Sequence, residues 1–247
     1  MDKERRFGLT AAQLRLLALG LMLLDHVWAL FMPGGYQWMT YLGRAAFPIF
    51  AFQIVEGYAH TSNFRRYALR LLLFGLVSEI PFNLMYASAP FYPIHQNVLF
   101  TLLLGLLAVR ALDRARKAGG LRPWLLATVQ ALGCCLLAQL GMTDYGATGV
   151  LTVLAFSLFR EGRWAKAGQL VALLLLHMVL FKGEYLSVSL AGHVLELQTQ
   201  GFALLALLPI WLYNGRKGGG GRALQYGSYA FYPLHMLALY GLTRLLL

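Results

Sequence analysis

The chain is built from apolar runs of a length that a water-soluble core rarely uses. "RLLALGLMLLDHVWALF", Arg15 to Phe31, is the first. Others follow, so that apolar blocks fall at roughly 11–32, 41–59, 66–86, 97–112, 123–141, 146–160, 165–182, 200–214 and 224–246, against the ~20 residues a helix needs to cross the hydrocarbon core. Only 13% of residues are charged, where a soluble domain averages about 25%. The expectation is an all-α, polytopic transmembrane bundle of about nine helices, forming one domain over 1–247. The segment "GEYLSVSLAGHVLELQT", 183–199, admits three readings: an external loop, a re-entrant piece or a tenth short helix.

Charge gives the orientation. Lys and Arg occur in alternate connections: Lys3, Arg5 and Arg6; Arg65 and Arg66; Arg110 to Arg122; Arg160, Arg163 and Lys166; Arg216, Lys217 and Arg222. The connections 33–40, 87–96, 142–145 and 183–199 hold none. Basic loops stay cytoplasmic, so the N-terminus is expected inside and the C-terminus outside a bacterial plasma (inner) membrane. The net charge of +11 is thereby explained by topology and lipid contact rather than by nucleic acid. "MDKERR" resembles a signal-peptide n-region, but the run behind it has span length and no small-residue cleavage site follows, so it reads as a retained first span. Cys134 and Cys135 are adjacent and lack metal-ligand spacing, so they read as small packing residues. "KGGGGR", 217–222, reads as a flexible cytoplasmic linker.

Ionisable residues inside the membrane are costly and usually face a bundle interior or a cavity. Arg15 and His26 lie close to three helical turns apart on one face, about 16 Å along the axis. Arg15 sits near the cytoplasmic end, where it also suits snorkelling, and His26 in the outer half, where a packed core histidine is the plainer reading. Asp25 either orients His26 or pairs with Arg44 at matching depth. Glu56 and His60 share a face of the second block near the cytoplasm; the spacing suits a metal, but no third ligand is in sight, and no metal is expected. Glu79 precedes Pro81, which frees a backbone carbonyl. Asn97 opens the fourth block, Asp144 is placed to cap the sixth, and Tyr232 and His235 sit mid-way along the last. Asp25, His26, Arg44, Glu79, Asn97 and Asp144 map to the outer half, which predicts one polar cavity there. Two function classes suit such a pattern: an enzyme working across the bilayer, and a transporter or flippase for a small polar or lipid-linked substrate.

The segments "LLDHVWAL", "LGRAAFPIFAFQIVEGYAHT", "RLLLFGLVSEIPFNL", "QNVLFTLLLGLLA", "DYGATGVL", "LPIWLYNG" and "FYPLHMLALY" together resemble the TraX family, named for a conjugation protein that N-acetylates pilin subunits. That family is similar to a compact form of the membrane acyltransferase-3 proteins, whose first helix carries a basic residue, ten intervening residues and a histidine. The resemblance implies an O- or N-acetyltransferase taking acetyl-CoA as co-substrate from the cytoplasm. Its acceptor would be a peptide amine, glycan or lipid headgroup on the outer side. It carries His26 over as the catalytic residue, and Arg15 over either to the donor phosphates or to shaping the first helix. Beside these, Asp25 or Glu79 would orient the imidazole. Arg44, Asn97, Asp144, Tyr232 and His235 are acceptor-side or oxyanion candidates, and Glu56 and His60 flank the donor.

Overall fold

The computed structural model describes residues 7–181, 183–190 and 193–246. Lys3, Arg5, Arg6 and Lys182 lie outside the described residues. The helices are α1 Ala11–Phe31, α2 Trp38–Gly43, α3 Ala46–His60, α4 Phe64–Ala87, α5 Val98–Ala118, α6 Leu121–Leu140, α7 Gly146–Leu158, α8 Ala165–Leu174, α9 Leu207–Trp211 and α10 Gly221–Leu246. A π-helical turn Leu175–Leu180 extends α8, and a 3₁₀ stretch Thr199–Ala206 leads into α9. Counting α8 and α9 with these extensions, and α2 as a prelude to α3, each of the nine apolar blocks becomes one helical pass. The ambiguous segment is not a tenth helix. It is a β-hairpin, β1 Tyr185–Leu190 pairing antiparallel with β2 His193–Gln198.

Local chemistry starts and stops the passes. Thr10 accepts from the Gln13 amide while the Gln13 side chain returns to Thr10, a capping box that opens α1. Asn63 and Asn97 cap α4 and α5 through their side-chain carbonyls. α4 ends at Ser88 in the left-handed region.

Six helices close on one another: α1 on α3, α3 on α7, α7 on α5, α5 on α4, α4 on α10, and α10 back on α1. Leu14, Ile49, Leu71, Leu106, Val153 and Met236 are fully or almost fully buried at their contacts. α6 lies outside this circuit, packed on α5 and α7. Its other faces expose Leu125, Leu126, Val129, Leu132, Leu136, Leu137 and Leu140. A continuous apolar surface of that size is not tolerated in water and is the surface a lipid bilayer covers. α1, α4 and α6 are long and apolar enough to span it unaided.

The two ends differ in charge as the alternating connections require. At one end Leu9 bridges Tyr213, and Arg160 holds Glu56 at 2.7 Å. The hydrogen bond to that carboxylate raises the pKa of the Arg160 guanidinium. At the other end Gln96 bridges Thr143, and Tyr41 stacks on Phe202.

Glycines set the closest approaches. A Cβ on Gly105 of α5 would lie 2.8 Å from Val153 Cβ of α7, as small-residue helix interfaces in membranes require. Gly105→Ala is therefore expected to cost about 1–3 kcal/mol by overpacking. Gly133→Ala on α6, where a Cβ meets nothing within 4 Å, is expected to be neutral or to stabilise by up to ~1 kcal/mol. Thermal unfolding of the two variants in detergent checks this; equal losses would contradict the assigned α5–α7 packing.

Candidate active site

α1 and α10 run side by side, and each brings one histidine to the same depth. His26 and His235 are both buried, at 8% and 6% exposure. Nδ1 of His26 lies 2.7 Å from Nε2 of His235, with the rings stacked at 4.9 Å between centroids. Nδ1 of His235 lies 2.8 Å from the Phe231 carbonyl, and the Phe231 ring also stacks with His235 at 4.8 Å between centroids.

These contacts settle the tautomers by elimination. A carbonyl only accepts, so His235 Nδ1 carries a proton and donates it to Phe231. In a neutral ring His235 Nε2 is then a bare acceptor, and the hydrogen in its bond with His26 belongs to His26 Nδ1. His26 Nε2 is left with its lone pair free. A carbonyl, one imidazole and a second imidazole thus do what a carboxylate does in a catalytic triad: hold a ring in the tautomer that acts as a base.

Below the pair, towards the basic end, lies a cavity of about 400 Å³. Its walls come from single faces of the surrounding helices. α1 contributes Ala12, Arg15, Leu19 and Met22, the positions that precede His26 on one helical stripe. α10 contributes Gln225, Ser228, Tyr229 and Tyr232, one turn short of His235. α3 supplies Gln53, Glu56 and His60, and α4 supplies Tyr67 and Arg70. This cavity lies on the basic side of His26, while on the outer side Asp25 faces Arg44 and Glu79 takes Asn97.

The expected site residues divide accordingly. Arg15, Glu56 and His60 all line the cavity, with Glu56 committed to Arg160 and His60 bonded to the Glu56 carbonyl at 2.9 Å. Tyr232 lines its upper end. Asp25 is not the orienter of His26: it faces Arg44 at 4.0 Å. Gly43 allows this approach, since a Cβ there would meet Asp25 Cβ at 2.4 Å. Glu79 is not the orienter either, for its carboxylate receives Asn97 Nδ2. Asn97 is in turn fully used, donating to the Gly75 carbonyl at 2.9 Å and accepting from the Leu99 amide at 3.1 Å. It is a helix cap with no donor left for an oxyanion. Asp144 does not cap α7, whose N-cap is Tyr145 without a side-chain bond; its carboxylate faces His95 at 3.8 Å. His235, expected on the acceptor side, is the partner of His26.

Sequence reading also passed over several residues. Tyr86 stands edge-on to both His26 and His95, at 6.2 and 5.4 Å between centroids; its place two turns after Glu79 on α4 was the available signal. Arg70, an Arg inside an apolar run, and Gln225, Ser228 and Tyr229 on the α10 stripe that leads to Tyr232 were equally visible. Lys217 was hidden by its glycine-rich surroundings. Among the described residues no cluster of three His, Cys, Asp or Glu gathers.

The TraX protein family matches residues 10–243. The chain belongs to the TraX family. It is 32% identical over 251 residues to the Dichelobacter nodosus protein described as "Probable fimbrial assembly protein FimC, serogroup H1", covering 96% of both chains. To "Protein TraX" of Escherichia coli it is 29% identical over 196 residues, covering 78% of this chain and 74% of the relative. No solved structure matches. As a TraX-family chain it is a membrane protein, one of whose relatives carries a fimbrial assembly name, and the histidine pair joins its first and last matched segments.

Nitrogen chemical shifts of ¹⁵N-histidine-labelled protein check the tautomers. His26 is expected with Nδ1 protonated and Nε2 bare. In His235→Ala, where the acceptor is gone, a mixture of tautomers is expected. A wild-type His26 protonated on Nε2 would contradict the assignment.

Proposed function

We propose that this TraX-family chain is a membrane acyltransferase that moves an acetyl or short acyl group from cytoplasmic acyl-CoA to an amine or hydroxyl at the opposite face. One observation carries the reading: the cavity entered from the basic end follows the Arg15–Leu19–Met22 stripe of α1 and stops one turn below the bare Nε2 of His26. By the positive-inside rule that end is cytoplasmic, in a bacterial inner membrane. A phosphate-bearing handle at Arg15 and a thioester near Met22 are separated by two turns, about 10 Å along the axis. A pantetheine arm spans that distance. The acyltransferase-3 relationship suggested by the Arg-to-His spacing belongs to the same proposal.

The chemistry follows from the free lone pair. His26 Nε2 takes the proton from the acceptor N–H or O–H as its heteroatom attacks the thioester carbonyl. The tetrahedral intermediate collapses, the C–S bond breaks, and the same proton passes from Nε2 to the departing CoA sulfur. His235 accepts the hydrogen bond from His26 Nδ1 throughout. Arg44, near His26 with its Nε buried and without a protein partner, is placed to stabilise the developing oxyanion. The acceptor enters from the face that carries Tyr86, His95 and Asp144. The fimbrial assembly name of one relative makes a fimbrial subunit the first acceptor to try, with glycan and lipid headgroups next.

Acyl transfer from radiolabelled acetyl-CoA, followed together with CoA thiol release, tests this. His26→Ala is expected to lose roughly 10²–10⁴-fold in turnover, the usual contribution of a general base. Wild-type protein that moves a substrate but releases no thiol would be a transporter, and the acyltransferase reading would fail.

A further inference from the structure

The segment 214–221, "NGRKGGGG", crosses the cavity mouth between α9 and α10. The sequence suggested a loose linker; the structure pins it. Asn214 donates from its amide to Leu9 O at 2.9 Å and from Nδ2 to Gly8 O at 3.0 Å. The carbonyls of Arg216 and Lys217 accept from the first two amides of α1, Ala11 and Ala12, at 2.9 and 3.1 Å. This strap therefore moves with α1, the helix that carries His26.

Its residues alternate. Gly215, Lys217, Gly219 and Gly221 line the cavity, while Gly218 is turned against α1, where a Cβ would stand 2.5 Å from Thr10 Oγ1. Gly215, Gly218, Gly220 and Gly221 have φ of +74°, +78°, +90° and +49°, conformations open to glycine and costly for other residues. A peptide unit holds its N–H opposite its C=O, so the carbonyls committed to α1 turn the amides of Lys217 and Gly218 away from it. Among the described residues no protein acceptor takes the amides of Lys217 to Gly220. A run of free amides on a glycine backbone is a recurrent anion cradle.

The charge at this mouth is unbalanced. Arg15, Arg70 and Lys217 reach it from three separate elements, and among the described residues none pairs with a carboxylate. The acidic residue of the lining, Glu56, is held by Arg160. Arg70 lies over the Tyr67 ring at 5.6 Å and keeps a buried Nε with no protein partner. Cations left unpaired in a half-enclosed mouth are stabilised by a multivalent anion, and guanidinium forks suit phosphate oxygens.

We propose that the strap 215–221 with Lys217, Arg15 and Arg70 forms a clamp for a phosphate anhydride or ester, closing over the nucleotide end of the donor. This rests on the donor reading above. The same phosphate chemistry also occurs on a phospholipid headgroup, and the committed ligand is the soluble nucleotide.

Titration calorimetry on the full chain in nanodiscs of neutral phosphatidylcholine separates the cases, with CoA, ADP and pantetheine as probes. CoA and ADP are expected to bind, and pantetheine more than tenfold more weakly. Lys217→Glu, an exposed site that leaves packing alone, and Arg70→Gln are each expected to weaken CoA and ADP at least tenfold. Arg122→Glu, which makes the same charge change elsewhere at this end, is expected to leave them as they were. CoA binding that ignores Lys217 and Arg70 overturns the clamp and leaves the donor reading standing. ADP binding that depends on Lys217, without acyl transfer from acetyl-CoA, keeps the clamp and removes the donor reading. No binding of either nucleotide overturns both. Loss of ADP binding when phosphatidylglycerol replaces the neutral lipid assigns the site to headgroups and overturns the nucleotide clamp.

Discussion

The Phe231 carbonyl fixes the protons on two rings and, through them, the orientation of the site. Within a bilayer, polar groups find partners in the protein or remain costly. The Phe231 carbonyl accepts a hydrogen bond from His235 Nδ1, His235 Nε2 is left as an acceptor, and His26 Nδ1 donates to it. The consequence is a bare imidazole nitrogen one helical turn above the end of a cavity. Nothing in this chain of bonds requires a charged group beside His26. That is why Asp25 and Glu79 are free to serve elsewhere, one against Arg44 and one beneath Asn97.

The remaining structure serves the α1–α10 pairing. A capping box starts α1, and the 214–221 strap ties that start to the segment before α10. α4 and α3 complete the wall, with Tyr67 admitted beside Gly57, where a Cβ would be 2.7 Å from the tyrosine hydroxyl. Buried polar chemistry also occurs away from the site. His177 is fully buried in the π-helical turn, between Thr152 Oγ1 at 3.1 Å and Gln200 Nε2 at 3.3 Å. Both its ring nitrogens are matched, and Thr152 passes its proton to the Thr148 carbonyl at 2.8 Å. This histidine is satisfied packing, in contrast to His26.

Much of this was legible in the chain itself. Apolar length gave every pass, because span length is a one-dimensional property. Alternating Lys and Arg gave the two ends for the same reason. The Arg15-to-His26 stripe was readable because helical period survives in sequence. Pairings between helices were not. Asp25 and Arg44 were matched by depth, but His235 was matched with nothing, since depth does not say which faces meet. Asn97 looked like a reactive donor because a cap and an oxyanion ligand use the same amide. The hairpin at 185–198 escaped because its alternation, "YLSVSL" and "VLELQ", lay within a segment judged by its length. The strap read as loose because glycine content measures conformational freedom in the unfolded chain, while hydrogen bonds to α1 decide it in the folded one.

The central claim is that a CoA thiol reaches the upper end of the cavity from the basic end, beneath His26. A single cysteine placed there reports on it directly. In a chain with Cys134 and Cys135 replaced by Ala, Met22→Cys should form a mixed disulfide with CoA when incubated with CoA disulfide, seen as one CoA adduct by intact-mass spectrometry. Cysteine at Leu30, beyond His26 on the same helix, should remain unmodified. Adduct at Leu30→Cys with none at Met22→Cys would contradict the account.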